Sequence, residues 1–235
     1  MKITFISDTH SKHKFLDGEL PGGDLLIHAG DISSMGYNYE IKDFCEWFNS
    51  IDNYTHKVFI AGNHDWGFID REPFYVHRSV LMPKPTEDVL TENPGIKYLR
   101  DELYNVEGVN IYGSPWQPEF FNWAFNLPRK GEELKRRWAN IPDITDILVT
   151  HGPAFGYVDK VLGRTENLGC ELLADRITQF RPKIHVCGHI HSAHGYTFDG
   201  HTHYINASVL NERYTYHYKP LTVNWEPNTN QIEFI

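Results

Sequence analysis

The chain lacks several features that would point to particular partners or cellular settings. It has no excess of basic residues, because 22 Lys and Arg stand against 31 Asp and Glu and give a formal net charge of −9. Binding to nucleic acid or to an anionic membrane needs a basic surface, so we expect neither a stable nucleic-acid complex nor a membrane-bound protein. No apolar run approaches the roughly 20 residues that span a bilayer.

Cysteine is also scarce. Cys45, Cys170 and Cys187 are an odd number without a C-x-x-C spacing. Buried, reduced thiols in a cytosolic protein are the interpretation that this count favours. No secretory signal peptide is visible, because Met1 and Lys2 lead directly into a strand-like run, so the sequence predicts a cytoplasmic protein.

What the chain has is a strong apolar pattern over 235 residues, of which 40% are hydrophobic and 14% aromatic. That length and composition predict one domain over residues 1–235 with a proper core. Apolar residues at helical spacing predict helices over Tyr37–Ser50, Gly131–Ile141 and Cys170–Phe180. Strand-like runs alternate with these helices and continue to the C-terminus. We therefore predict an α/β fold, a four-layer α-β-β-α sandwich of two mixed sheets.

Five short polar fragments each follow an apolar run that is typical of a buried strand. They are Asp8-Thr9-His10, Gly30-Asp31, Gly62-Asn63-His64-Asp65, Thr150-His151-Gly152 and Gly188-His189-Ile190-His191. Ligands of open α/β sheets bind outside the carboxyl ends of the strands, so these fragments are expected to converge there. The carboxylates of Asp8 and Asp31, one amide and up to five imidazoles would then meet.

This set of side chains suits two divalent cations. Asp8 and His10 are two residues apart and share one side of an extended segment, which places both on one metal. His189 and His191 repeat the spacing, and Asp31 is the expected bridge between the ions. Carboxylate, imidazole and amide ligands suit Mn²⁺, which we expect, as well as Fe, Co²⁺, Ni²⁺ or Zn²⁺, whereas calcium prefers oxygen ligands alone.

Such a centre predicts phosphoester chemistry. Bound metal lowers the pKa of water from 15.7 to roughly 7, so a metal-bridging hydroxide would serve as the nucleophile on a phosphate. His64 is expected to face the phosphate, where it would hydrogen-bond a phosphoryl oxygen or protonate the leaving group. Asp65 has two alternative roles, either orienting His64 or capping the segment that begins at Trp66. The remaining histidines singled out are predicted to be structural, namely His28, His185, His194, His201 and His203.

In order and residue type, the fragments resemble the calcineurin-like metallophosphoesterase superfamily, whose motifs run D-x-H, G-D, G-N-H-D/E, H and G-H-x-H. The resemblance extends from Asp8 to about Ser208. It implies a catalytic, non-ligand role for His64. It also implies a first ion held by Asp8, His10, Asp31 and His191, and a second held by Asp31, Asn63, His151 and His189.

Further motifs narrow the resemblance. Gly113–Pro118, Trp123–Pro128 and Tyr204–Val209 resemble the metallophosphoesterase-domain-containing subfamily first noted in vertebrate brain, which is similar to class III phosphodiesterases. Other branches of the superfamily have features that this chain lacks. Protein Ser/Thr phosphatases carry an arginine soon after G-D, which this chain lacks, and purple acid phosphatases have a tyrosine ligand where this chain has Ser34. DNA-repair nucleases add large DNA-gripping parts for which this short acidic chain has little room.

We therefore expect a hydrolase that cleaves small phosphodiesters with two metal ions, with cyclic nucleotides as one candidate substrate. Two alternatives stay open, a general phosphomonoesterase and a metal- or nucleotide-binding regulator with negligible turnover. The aromatic stretch Trp116–Phe125 also has two interpretations. It either plugs one edge of the core or forms a wall on which a nucleobase stacks. The physiological substrate, the native metal and the oligomeric state do not follow from the sequence.

Overall fold

The computed structural model describes residues 1–69, 74–77, 80–82 and 87–235. In chain order, its strands are β1 Lys2–Ile6, β2 Gly23–His28, β3 Tyr54–Phe59, β4 Phe74–His77, β5 Val80–Met82, β6 Lys97–Tyr98, β7 Glu102–Val106, β8 Val109–Ser114, β9 Gln117–Pro118, β10 Asn126–Leu127, β11 Ile147–Thr150, β12 Ile184–Cys187, β13 Gly195–Phe198, β14 His203–Asn206, β15 Leu221–Glu226 and β16 Gln231–Phe234.

The helices are α1 Asn38–Ser50, α2 Glu87–Glu92, α3 Glu132–Ala139 and α4 Glu171–Phe180. Short 3₁₀ helices cover His13–Leu16, Trp66–Phe68 and His191–Ala193. The three predicted helices are confirmed, each beginning one residue later than predicted. Tyr37, Gly131 and Cys170 have extended backbones and serve as the N-cap positions. None of the described helices combines the length and apolar character that crossing a membrane requires.

Two large mixed sheets form the centre of the fold. In the first sheet the strand order is β16-β15-β1-β2-β3-β6, and β1, β2, β3 and β6 run parallel while β15 runs antiparallel to β1. In the second sheet the order is β13-β14-β12-β11-β8-β7, and β14, β12, β11 and β8 run parallel. The antiparallel strands therefore lie towards the edges, and each sheet collects the carboxyl ends of its central strands on one side.

The alternation of side chains along each strand explains the layers. Ile3 and Phe5 of β1 are fully buried with Ile147 and Val149 of β11 in the cluster between the two sheets. The intervening Leu148 points to the opposite face of its sheet, as a two-residue period requires. Each sheet thus has two apolar faces, one of which packs on the other sheet.

Helices cover the outer faces. Phe44 and Phe48 of α1 pack on Phe59 of β3, with ring centroids 5.5 and 6.0 Å apart. Leu134 and Trp138 of α3 lie in the outer core, together with Leu173 and Ile177 of α4 and Leu148 and Tyr204 of the second sheet. The predicted α-β-β-α sandwich of two mixed sheets is confirmed.

Two turns show why some element boundaries differ from simple patterns. Glu107 and Gly108 join β7 to β8, with φ values of 51° and 88°, the left-handed conformations that a two-residue hairpin turn needs. The second turn lies between β13 and β14, and β14 begins only at His203. The Asp199 carboxylate accepts hydrogen bonds from the backbone N–H groups of His201 and Thr202, both at 2.8 Å, and holds them in a turn.

Candidate metal centre

All five polar fragments lie at carboxyl ends of parallel strands, on one side of the sandwich. The first sheet contributes Asp8, Asp31 and Asn63, and the second contributes His151 and His189. Asp8, Asp31 and His189 have φ values of 56°, 54° and 67°. Non-glycine residues seldom adopt this left-handed conformation, which costs free energy and clusters at functional sites. The backbone is therefore bent sharply where these polar side chains converge.

One group of facing polar atoms consists of Asp8, His10 and His191, whose nearest ligand-type atoms all lie within 4.8 Å of one another. Nε2 of His10 is 3.3 Å from Nε2 of His191, and the latter is 3.4 Å from Oδ1 of Asp8. Two ring nitrogens and a carboxylate oxygen that face one point form a donor set that a divalent cation can satisfy.

A second group consists of Asp31, His151 and His189, again with ligand-type atoms within 4.8 Å. Nε2 of His151 lies 3.2 Å from Oδ2 of Asp31. Oδ1 of Asn63 joins the group, at 3.0 Å from Nε2 of His151 and 2.8 Å from Nδ1 of His189. Asp31 Oδ2 is also 3.6 Å from His10 Nε2, so Asp31 lies between the two groups.

Backbone carbonyls orient two histidine rings of the second sheet, those of His151 and His191. Nδ1 of His151 donates to the carbonyl of Ala29 at 2.9 Å, and Nδ1 of His191 donates to the carbonyl of Asn211 at 2.8 Å. Since a carbonyl only accepts, each Nδ1 carries hydrogen and each Nε2 faces the cluster. Metal-binding histidines in proteins are usually fixed by such a hydrogen bond on the opposite ring nitrogen.

The charges of the cluster are balanced within it. Burial would raise the pKa of Asp8 and Asp31, but His191 and His151 hold both values below the usual range. Burial likewise opposes a charge on His151 and His191, but the hydrogen bonds and charges of Asp31 and Asp8 raise both pKa values to about 9. Two protonated rings thus supply, without metal, the positive charge that bound cations would supply in their place.

The rings of His10 and His189, by contrast, stay neutral. Burial lowers the pKa of His10 and of His189 to about 3, although Asp31 acts in the opposite direction on both. A neutral imidazole has a free lone pair, which metal coordination requires. The donor types, their convergence and the two neutral rings fit divalent cations, and binding of those cations would release the protons of His151 and His191.

His64 lies against the same cluster. One of its ring nitrogens is within 4.8 Å of ligand-type atoms of His10 and Asp31. Nδ1 of His64 donates to the carbonyl of Ser34 at 2.7 Å, and its backbone N–H donates to Oδ1 of Asp31 at 2.8 Å. Nδ1 of His64 therefore carries a hydrogen, and Nε2 takes no part in the hydrogen bond to Ser34.

Asp65 has a role that neither sequence interpretation anticipated. Its fully buried carboxylate accepts hydrogen bonds from the backbone N–H groups of Gly62, Ile32 and Ser33 at 2.7, 3.1 and 2.9 Å, and from Oγ of Ser33 at 2.6 Å. It therefore ties the loop that carries Asp31 to the loop that carries Asn63. Burial, reinforced by the charge of Asp31, raises the pKa of Asp65 to about 7.

Both predicted roles of Asp65 are consequently wrong. The ring of His64 is held by the carbonyl of Ser34 and not by Asp65. Asp65 does precede the 3₁₀ helix Trp66–Phe68, but its side chain makes no capping hydrogen bond. The reason is that four donors from two neighbouring loops surround the carboxylate and take up its acceptor sites.

Sequence reasoning missed a second buried carboxylate in the same loops. Oε1 of Glu40 accepts hydrogen bonds from Oγ of Ser11 at 2.9 Å and from the N–H of Ser34 at 3.2 Å, while Oε2 accepts from the N–H of Met35 at 3.1 Å. Oε2 of Glu40 also accepts from the backbone N–H of Tyr37 at 3.0 Å, at the start of α1. A glutamate in the first turn of a helix is visible in a sequence, but it indicates only the helix start.

The motif Tyr204–Val209 has a supporting role that sequence reasoning also left unassigned. Oγ of Ser208 donates to Oδ2 of Asp8 at 2.7 Å. Nδ2 of Asn206 donates to the carbonyls of Gly188 and Ile190 at 3.2 and 3.0 Å. This motif therefore holds the Asp8 carboxylate and the loop before His191 in their relative positions.

A cleft of about 340 Å³ opens beside the cluster. Arg129 lines it, but the guanidinium of Arg129 donates to the carbonyls of Leu168 and Gly169 and to the Glu171 carboxylate, at 2.7–2.8 Å. Tyr214 also lines it, with its ring centroid 4.8 Å from that of His10. No sequence motif pointed to either residue, because each reaches the cleft from a loop far from the five fragments.

The aromatic residues of Trp116–Phe125 differ in burial, which bears on the two interpretations of this stretch. Trp116 and Phe125 are buried and pack against each other with centroids 5.5 Å apart, as a plug of the core would. Phe120 lines the cleft and is 46% exposed, and the neighbouring Phe121 is 81% exposed. Trp123 is half-buried and stacks on the ring of His64.

The histidines predicted to be structural stay outside every group of potential metal ligands that the described residues form. His28 contacts Oγ1 of Thr9 at 2.9 Å, and Nδ1 of His194 donates to the carbonyl of Ser208 at 2.8 Å. The cysteines, Cys45, Cys170 and Cys187, are buried and unpaired, as predicted.

Comparison with known proteins agrees with this geometry. Residues 1–193 match the model of the calcineurin-like phosphoesterase family. The chain is 42% identical over 236 residues to metallophosphoesterase domain-containing protein 1 of Homo sapiens and of Mus musculus, covering 96% of this chain and 68% of each relative. The solved structure of TT1561 of Thermus thermophilus superposes with a TM-score of 0.63, covers 99% of this chain and 97% of its own, and at 12% identity shows a shared fold. The chain belongs to the calcineurin-like phosphoesterase family, and so to proteins associated with metal-dependent phosphoester hydrolysis.

Proposed function

We propose that this protein hydrolyses small phosphodiesters with two divalent metal ions. The observation that carries the proposal is the position of Asp31 between two groups of ligand-type atoms, each within 4.8 Å, at the end of a 340 Å³ cleft. A single buried carboxylate shared by two such groups is the arrangement that a pair of ions requires. A cleft of this size admits a small molecule.

The proposed first ion is held by Asp8, His10, Asp31 and His191, and the second by Asp31, Asn63, His151 and His189. The contacts of 3.0 and 2.8 Å between Asn63 Oδ1 and the two rings support the second set. We propose Mn²⁺ as the metal, although Fe, Zn²⁺, Co²⁺ or Ni²⁺ suit the same donors. When bound, such ions lower the pKa of water and bind the phosphoryl oxygens.

His64 is the proposed catalytic residue. Its Nδ1 is committed to the carbonyl of Ser34, so its Nε2 is available to the substrate. In the protonated state, Nε2–H donates a hydrogen bond to a phosphoryl oxygen or passes its proton to the leaving oxygen. The neutral ring would only accept a hydrogen bond at this position.

The charges along the cleft support a diester as substrate. A phosphate monoester carries about two negative charges near neutral pH, since its second pKa is about 6, whereas a diester carries one. Arg129 lines the cleft, but its guanidinium already donates three hydrogen bonds to the protein. It is therefore committed to those partners and not to the second charge of a monoester. The exposed ring of Phe120, 5.1 Å edge-on from that of His189, offers an apolar surface for the leaving group, including a nucleobase.

The test is hydrolysis by the Mn²⁺-loaded protein. We expect kcat/KM for bis(p-nitrophenyl) phosphate to equal or exceed that for p-nitrophenyl phosphate, and 2′,3′- and 3′,5′-cyclic nucleotides follow as candidate natural substrates. A clear preference for the monoester would leave a general phosphatase. Two bound ions without release of p-nitrophenol from either ester would instead favour a binding regulator.

We also propose that residues 1–235 act as one domain. The support is that the site draws side chains from loops of both sheets, so neither sheet carries a complete ligand set. Thermal unfolding of the metal-free protein should then show one cooperative transition. Two separated transitions would contradict this.

A further inference from the structure

We propose that Trp123 is a positioning residue that holds the His64 ring in its catalytic orientation. The inference rests on the catalytic role proposed for His64 and goes beyond it. Trp123 belongs to the loop between β9 and β10, outside the five polar fragments that form the metal centre.

The contact between the two rings is close and nearly parallel. The ring centroids of His64 and Trp123 are 4.0 Å apart, and their planes meet at 24°. The hydrogen bond from Nδ1 to the carbonyl of Ser34 fixes one point of the imidazole, about which the ring could still turn. The indole face blocks that rotation, while His10 contacts the same imidazole edge-on at 4.6 Å. Together these three contacts leave one orientation for Nε2.

The loop that carries Trp123 is built to hold its position. Its base is closed by the hydrogen bonds from the N–H of Gln117 to the carbonyl of Phe125 and from the N–H of Glu119 to that of Leu127, at 3.1 and 2.9 Å. The N–H of Ala124 donates to the carbonyl of Asn63 at 3.0 Å. The residue after Trp123 is thus attached to the residue before His64, and the two rings are held in register.

Side-chain hydrogen bonds brace the same loop. Nδ2 of Asn126 donates to the carbonyls of Phe120 and Phe121 at 3.1 and 3.0 Å. Oδ1 of Asn126 then faces Nε2 of Gln117 at 3.3 Å. The loop therefore has an internal framework that does not depend on Trp123.

Packing in the hydrophobic core does not explain the position of Trp123. Its neighbours Ala124 and Phe125 are fully buried and belong to the described hydrophobic core, whereas the half-buried Trp123 is not among the core residues. Its ring instead covers the face of the one histidine of the site whose Nε2 is proposed to reach the substrate.

Kinetics distinguish positioning from packing. For Trp123→Ala we expect a 10–100-fold lower kcat with KM changed less than about 3-fold, because misplacement of a reacting group by about 1 Å costs on the order of 10²-fold in rate. The loss should be larger for diesters with a phenol leaving group than with p-nitrophenol, since a poor leaving group depends more on a proton donor. Trp123→Phe, which keeps a flat ring, should recover most of the rate.

A double-mutant cycle gives the sharpest kinetic result. If Trp123 acts through His64, Trp123→Ala should cause no further loss in a His64→Ala background. Equal fold losses in the two backgrounds would overturn the inference. Phe198→Ala, which removes a 46% exposed aromatic ring from edge strand β13, is the matched control and should leave kcat unchanged.

A readout without turnover separates this inference from the proposed function. In NMR spectra of the metal-free protein, the His64 ring signal is assigned by its absence in His64→Ala. We expect its Cε1–H resonance to be displaced by the indole ring current and to move in Trp123→Ala, but not in Phe198→Ala. A His64 signal that Trp123→Ala leaves in place would overturn the inference. Inactivity of the wild-type protein on every phosphoester would refute the proposed function alone.

Discussion

The two sheets contribute different chemistry to one site. Loops of the first sheet contribute the oxygen donors Asp8, Asp31 and Asn63, with His10 as the additional imidazole. Loops of the second sheet contribute imidazoles alone, those of His151, His189 and His191. The negative charge of the cluster therefore comes entirely from one sheet, and the site is complete only where the two sheets meet.

The two halves are also held in different ways. The loops of the first sheet are joined to each other, since Asp65 binds the N–H groups of Ile32, Ser33 and Gly62. In the second sheet, the rings of His151 and His191 each rely on a single hydrogen bond to a backbone carbonyl, of Ala29 and of Asn211 respectively. The difference indicates that the oxygen half is organised by its own loops, while the imidazole half depends on contacts with other segments.

Asp31→Asn should have the largest effect, because it removes charge from the residue that lies between both ligand groups. We expect loss of both ions and a decrease in turnover of more than about 10⁴-fold, beyond the effect expected for a single proton donor. Elemental analysis and hydrolysis of bis(p-nitrophenyl) phosphate provide the measurements. Full metal content in this variant would argue against a bridging carboxylate.

His64→Ala should affect turnover alone. A positioned proton donor or oxyanion partner contributes about 10²–10⁴-fold in rate, and the remaining ligands should keep their ions. His56→Ala is the matched control, since His56 contacts Glu107 at the surface. Loss of metal from His64→Ala would make His64 a ligand instead.

Asp65→Asn tests how the oxygen half is held. An amide in place of the carboxylate cannot accept all four hydrogen bonds, and each buried donor left unsatisfied costs about 1–3 kcal/mol. Urea unfolding of the metal-free protein should therefore show a free energy of unfolding lowered by at least about 1 kcal/mol. Unchanged stability would mean that the two loops are organised without Asp65.

Ser208→Ala tests the link between the two halves. Removal of the hydrogen bond at 2.7 Å from Ser208 Oγ leaves Oδ2 of Asp8 with the N–H of His189 at 3.1 Å, and losing such an outer partner lowers metal affinity about 10–100-fold. Calorimetric titration with Mn²⁺ measures the change. Ser50→Ala, which removes a hydroxyl bonded only to its own helix at Trp47, should titrate like the wild type.

Much of this organisation follows from local sequence patterns. The apolar runs before Asp8, Asp31 and His151 predict strands, and parallel strands in one sheet share a carboxyl edge, so convergence can be predicted without coordinates. The helical spacing of Phe44 and Phe48 similarly predicts the covered outer face. These features depend on residues that are neighbours in the chain.

The supporting contacts could not be predicted in the same way. Asp65 has donors on two loops, and the partner of Ser208 is 200 residues away in sequence. Trp123 reaches His64 only because the Ala124–Asn63 backbone bond brings the two loops together. Such roles depend on which loops meet after the sheets have packed, and a local pattern carries no information on that.

The central claim is that the two sheets jointly hold a pair of ions. Elemental analysis of the wild-type protein, purified without chelator, loaded with Mn²⁺ and freed of unbound metal, tests it most directly. We predict a stoichiometry close to two ions per chain. A value that stays at one ion per chain, or at none, would contradict it.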